Sequence, residues 1–111
     1  VQQWFKEQTV QVFSEIIESI YPQFEKYGVP YPKITIRSMT SRWGSCQPVK
    51  ARITLNAWLI ATPKECIEYV VVHEFAHFIH PNHSKQFWAF VESMMPDYQE
   101  RKTMLRGYGT R

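Results

Sequence analysis

His73-Glu74-Phe75-Ala76-His77 decides how the rest of this chain is read. On an α-helix, residues i and i+4 lie about 40° apart, so His73 and His77 project from one face and can share a metal ion. Glu74 is about 100° further round, poorly placed as a third ligand but well placed to reach a water bound to that metal. Neutral imidazole is a good zinc ligand at about 2.0–2.1 Å, and an ion with an open coordination position lowers the pKa of its water towards ~7. The carboxylate then takes the water's proton. A pattern this short also arises by chance, as two histidines on a helix surface, and the flanking sequence argues against that. From Cys66 to Ile79 the chain reads CIEYVVVHEFAHFI, apolar on nearly every side, which predicts a helix running through the core. Histidines and a carboxylate in such a helix need partners, because burying them alone costs several kcal/mol. A metal site supplies those partners.

Both ends of this helix are marked in the sequence. Thr62-Pro63-Lys64-Glu65 reads as a capping box with proline at the first helical position, where its missing N–H costs nothing. Pro81 cannot continue the ladder, so the helix is expected to span about 63–80 and to stop near Ile79 or His80. The turn that follows governs the third ligand. His80 shares the face of His73 and His77 but stands about 10 Å along the axis from His73, too far for short bonds to one ion. His83 follows the break at Pro81-Asn82 and can double back, giving the H-E-x-x-H-x5-H spacing of metzincins, with Asn82 taking any left-handed conformation the turn requires. Glu92 or Glu100, supplied by a following helix, is the alternative.

Further blocks carry a family resemblance. Ser41-Arg42-Trp43-Gly44-Ser45-Cys46, Ile53-Thr54-Leu55-Asn56, Tyr69 to His77, Asn82-His83-Ser84 with Phe87-Trp88, and Pro96-Asp97-Tyr98 occur in an order that resembles the YgjP-like metallopeptidase family, related to the WLM and SprT zincins. The resemblance covers roughly residues 37–106. It implies a zincin-like catalytic domain, ligands at His73, His77 and His83, the base at Glu74, and a cytoplasmic setting in a bacterium or archaeon. Family members are commonly longer at the N-terminus. The chain, which begins at Val1, is therefore expected to be the C-terminal catalytic part of a longer protein.

The composition suits one small domain over residues 1–111: 44% of its positions are hydrophobic and 15% aromatic. No run of about 18 apolar residues occurs and the first residues lack a signal-peptide core, so neither a membrane span nor a leader is expected. Two cysteines, Cys46 and Cys66, make no disulfide framework and fit a reducing compartment. Cys66 reads as a buried packing residue. Cys46 ends a Trp-Gly-Ser-Cys turn that is either structural or part of a cleft wall.

The predicted fold class is α+β. Residues 2–27 show a helical pattern with Phe5, Val12, Phe13, Ile16, Ile17, Ile20 and Phe24 on one broad face, and Pro22 is a possible kink. Lys33 to Thr40 alternates as a strand, Ile34 and Ile36 inward against Thr35 and Arg37 outward. Ala51 to Asn56 is a second strand, joined to the first as a small antiparallel hairpin across Gly44 to Lys50. Helices are expected at about 63–80, 84–95 and 97–106, with Pro96 in the first turn of the last. Zincins bind an extended peptide along the edge of such a sheet, so 51–56 or 37–42 is the expected edge. Candidate substrate-binding residues are Trp43 and Trp58 as pocket walls, Asn56, and Tyr98 and Arg101, which with His80 are also candidate oxyanion donors.

Charge raises rival functions. The net charge is +3, with Arg37, Arg42, Lys50 and Arg52 around the hairpin and Arg101, Lys102, Arg106 and Arg111 near the C-terminus. Such patches can hold phosphates, which allows a hydrolase of nucleotide phosphoanhydrides or a DNA-associated, SprT-like protease, although no nucleic-acid motif accompanies them. The leading expectation is a metallopeptidase with one zinc ion and a polypeptide or small-molecule substrate. Nickel, cobalt or iron suit the same imidazoles, and oligomeric state is unreadable.

Overall fold

The computed structural model describes residues 2–38 and 42–108, with side chains from residue 8 onward. The side chain of Phe5, and the whole of Met39, Thr40, Ser41 and Arg111, therefore lie outside what is described. Among the described residues the chain forms α1 (Gln2–Glu25), β1 (Lys33–Arg37), β2 (Gly44–Gln47), β3 (Arg52–Asn56), a 3₁₀ turn (Ala57–Ala61), α2 (Lys64–Ala76), α3 (Lys85–Met94) and α4 (Tyr98–Arg106). This is the expected α+β class.

α1 follows its sequence pattern. Phe13, Ile16, Ile17, Ile20 and Phe24 are buried and Val12 packs beside them. Pro22 does not interrupt the helix, since near the C-terminal end it removes one hydrogen bond from a segment already anchored by packing. That anchor is aromatic: Phe24 stacks on Phe75 of α2 with ring centres 5.2 Å apart.

The sheet differs from the expected hairpin. The segment 44–50, read as a connecting turn, contains β2, and β2 is the antiparallel partner of β3, pairing Gly44 with Leu55 and Gln47 with Arg52. β1 lies on the other side of β3 and runs parallel to it, from Lys33 opposite Arg52 to Arg37 opposite Asn56. The sheet is thus mixed, in the order β1-β3-β2. β3 is its central strand, so 51–56 is not an edge; the edges are β1 and β2. Ile34 and Ile36 pack against the core and Arg37 is exposed as expected, but Thr35 is half-buried too.

α2 is a core helix, with Cys66, Ile67, Val70, Val71, Val72, Phe75 and Ala76 all buried. Its start differs from the expected capping box. The Thr62 hydroxyl donates backward to the Leu59 carbonyl at 2.7 Å, closing the preceding 3₁₀ turn, and α2 has no side-chain cap. Its α-helical part ends at Ala76, and residues 77–80 continue as a tighter turn in which the Phe78 N–H donates to Phe75 and that of Ile79 to Ala76. Pro96 stands in the turn before α4 and not in its first helical turn.

Candidate metal centre and cleft

Three histidines converge where α2 gives way to α3. His73 is on the last turn of α2 and His77 is the residue that ends it. Ser84 caps α3, its hydroxyl accepting the Phe87 N–H at 3.3 Å, and this fixes the direction in which His83 leaves the turn. Asn82 needs no left-handed conformation for this: among the described residues only Ala51 and Gly28 have positive φ. The imidazole centres are 4.9 Å (His73 to His77), 5.1 Å (His73 to His83) and 4.8 Å (His77 to His83) apart. One nitrogen from each ring lies within 4.8 Å of the others, and the Nε2 atoms of His77 and His83 are 3.1 Å apart.

These separations fit a shared transition-metal ion. Nitrogens at about 2.1 Å in tetrahedral directions are about 3.4 Å apart, within the range the rings occupy. The ligands must be neutral, and burial, reinforced by the neighbouring imidazoles, lowers the pKa of both His77 and His83 below the ordinary histidine value. The Nδ1 of His77 meets the carbonyl of His80 at 3.3 Å. With Nδ1 donating there, the Nε2 lone pair turns towards the other rings. Phe87, fully buried, closes the floor, its ring 5.1, 4.6 and 5.0 Å from those of His73, His77 and His83.

Glu74 is only 4% exposed, and its Oε2 lies 3.2 Å from His73 Nδ1. β2 crosses directly over it. A Cβ on Gly44 would stand 3.1 Å from Glu74 Oε2 and 3.1 Å from Val70 Cγ1, a tight contact that glycine avoids. The cleft above the histidines holds about 480 Å³, walled by Trp43 to Cys46 on one side, Tyr69, Val70 and Glu74 below, and Leu105 of α4.

Of the sequence candidates, Trp43 is on this wall. Asn56 is not: it is fully buried, its side-chain NH₂ donating to the Arg42 carbonyl at 2.9 Å and its Oδ1 accepting the Trp58 N–H at 3.0 Å. Trp58 is 43% exposed and off the cleft. Tyr98 lines a neighbouring cleft. Arg101 clamps α4 to α2 by donating to Glu68 at 2.7 Å, and it also donates to Asp97 at the start of its own helix at 3.0 Å. His80 packs its ring on Phe90 at 5.9 Å, and Glu92 and Glu100 are exposed and outside the cleft. Cys46 lines the cleft, where burial first and Glu74 second push its thiol up to about 12. It is a neutral wall group at physiological pH.

Tyr69 was missed by sequence reasoning. It precedes His73 by four residues, so Tyr69, His73 and His77 run along one helical face, and that spacing was the available signal. Its ring is 5.9 Å from that of His73. Burial, with a smaller contribution from Glu74, pushes its hydroxyl up to about 12, so it stays protonated as a donor.

With this geometry the comparisons with known proteins have a clear meaning. Residues 1–108 match the family model of the YgjP-like metallopeptidase domain. The chain belongs to the YgjP-like metallopeptidase family. Its fold is that of the metallopeptidase zymogen of Pyrococcus abyssi abylysin, with a TM-score of 0.69 and 20% identity over 91% of this chain and 94% of that one. The metallopeptidase zymogen of Methanocaldococcus jannaschii jannalysin is similar too, with a TM-score of 0.65 and 18% identity over 90% and 95% of the two chains. No curated protein matches. Membership makes this YgjP-like domain a hydrolase of the metallopeptidase class, and such a class requires a catalytic metal. No helix among the described residues is long and apolar enough to cross a membrane.

Proposed function

We propose that residues 1–111 act as one zinc metallopeptidase domain in which His73, His77 and His83 hold the ion and Glu74 is the general base. The observation that carries this reading is the convergence of three imidazole nitrogens within 4.8 Å beside a buried carboxylate. Zinc bound there supplies a Lewis acid and a water of lowered pKa. The residues do the rest. Glu74 Oε2 accepts a proton and returns it to the leaving nitrogen. The ring of His73, 3.2 Å from that oxygen, limits the directions the carboxylate can take. The Tyr69 hydroxyl is a neutral donor on the cleft wall, suited to an oxygen that gains charge.

β2 supports a polypeptide as the substrate. It is an edge strand beside the cleft, and its free side can take an extended chain as a further strand, gripping backbone and leaving side-chain choice to pockets. The phosphoanhydride alternative has less support, because Arg42 is the single Lys or Arg on the main cleft among the described residues. Cys46 and Cys66, both free thiols, support a reducing compartment.

The test is metal content together with turnover of an unfolded polypeptide by the zinc-reconstituted protein. Glu74→Gln is expected to keep about one ion and to lose roughly 10²–10⁴-fold in kcat. Full activity in that variant, or no bound metal in the parent, would sink the reading.

A further inference from the structure

A second cleft of about 340 Å³ opens between α3 and α4, lined by Trp88, Tyr98, Gln99, Lys102, Thr103 and Arg106. The Trp88 indole stands between it and the histidines. Its ring centre is 5.8 Å from those of both His73 and His83, and on its way outward it stacks on Tyr98 at 5.5 Å. Lys102 Nζ lies 4.5 Å from the centre of the same indole. Leu105, on the same helix as Lys102 and Arg106, lines the main cleft, so α4 borders both.

The three cations of this helix are used differently. Arg101 is neutralised by Glu68 and Asp97. Lys102 and Arg106 enter no ion pair among the described residues, and no carboxylate lines the cleft they face. Two cations beside stacked rings form a site for an anion: the rings hold water off one side, which strengthens the attraction, and the Arg106 guanidinium can grip a carboxylate with two parallel hydrogen bonds.

We infer that this cleft is a subsite for a carboxylate of the peptide substrate, supplied by an acidic side chain or by the chain terminus and held by Lys102 and Arg106. The inference rests on the peptidase reading of the metal centre. An extended peptide advances about 3.3–3.6 Å per residue, so the two ring steps from His83 to Tyr98 span at most about three residues. Nucleic-acid phosphate suits the same charges. A peptide already lying in the main cleft brings its carboxylate to the subsite without a separate binding event, which favours the peptide.

The experiment uses the zinc-loaded protein and matched peptides carrying Glu or Gln at each position from two to four residues on either side of the cleaved bond, each with a free or an amidated C-terminus. One carboxylate placement is expected to raise kcat/KM roughly tenfold over its amide twin, an advantage that shrinks with salt. The Glu and Gln series report a side-chain source and the amidated series a terminal one. The double variant Lys102→Glu, Arg106→Glu should abolish or invert the ratio, whereas Lys26→Glu, Lys33→Glu, with the same change in net charge, should keep it. Equal rates for every carboxylate and amide pair, or a ratio untouched by the first double variant, overturn the subsite. Binding of the same peptides to zinc-loaded Glu74→Gln provides a readout that needs no turnover. Carboxylate-selective binding there with an inactive parent protein sinks the peptidase reading and keeps the subsite. Unselective peptide binding, with an oligonucleotide held through Lys102 and Arg106, overturns the inference in favour of nucleic acid.

Discussion

Glu74 lies against the bare backbone of Gly44. Because a methyl group on Gly44 would meet Glu74 Oε2 and Val70 Cγ1 at 3.1 Å, Gly44→Ala must push either the carboxylate or β2 aside by a few tenths of an ångström. A misplacement of about 1 Å at a reacting group costs about 10²-fold in rate, so a shift of a few tenths costs roughly 2–5-fold. The variant is expected to bind metal normally and to lose that much kcat, which metal analysis beside steady-state kinetics will show. Asn56 carries a different burden at the same scale. It is buried and ties the Arg42 carbonyl to the Trp58 N–H across the start of the 3₁₀ turn. Asn56→Ala leaves both backbone groups without that partner and is expected to cost about 1–3 kcal/mol in denaturant unfolding. In the sequence Asn56 stood out as a polar residue ending a strand, and nothing local distinguished a ligand-binding amide from one consumed by the backbone.

At the scale of elements, the loop between β2 and β3 holds a strained residue. Ala51 has φ of 50°, a left-handed conformation that costs a non-glycine residue about 1–2 kcal/mol. Ala51→Gly relieves this, offset by the larger entropy glycine loses on folding. A net gain of about 0.5–1 kcal/mol is expected, seen as a higher denaturant midpoint at unchanged m-value. β2 itself was illegible in the sequence. Gly44-Ser45-Cys46-Gln47 has neither alternation nor β-branched residues, and it is a strand because β3 pairs with it. The capping box failed for a related reason. Thr62 had two turns to serve, and the 3₁₀ turn before it took the hydroxyl.

Across the whole molecule, the proposed metal site spans the junction of two helices. His73 and His77 belong to the end of α2 and His83 to the entry of α3, so an ion bound by all three clamps those helices together. Saturation at about one hundred times Kd stabilises the folded state by about 2.7 kcal/mol. Chelation is therefore expected to lower the melting temperature, and His83→Ala should abolish most of that difference, as calorimetry with and without chelator will show.

The sequence by itself determined the buried course of α2, the face of α1, the paired histidines with their carboxylate, and that α2 ends before Pro81 so that a third histidine can return, although its α-helical part stops at Ala76, earlier than the proline alone requires. Each depends on helical periodicity or on one residue's backbone chemistry, and both are local. Only the tertiary structure decided that the sheet is mixed with β3 at its centre, that Gly44 and Tyr69 shape the cleft above the histidines while Asn56, Trp58 and Arg101 stand outside it, and that Lys102 and Arg106 flank a second cleft beside Trp88. These features join segments distant in sequence, and no local pattern records which surfaces meet.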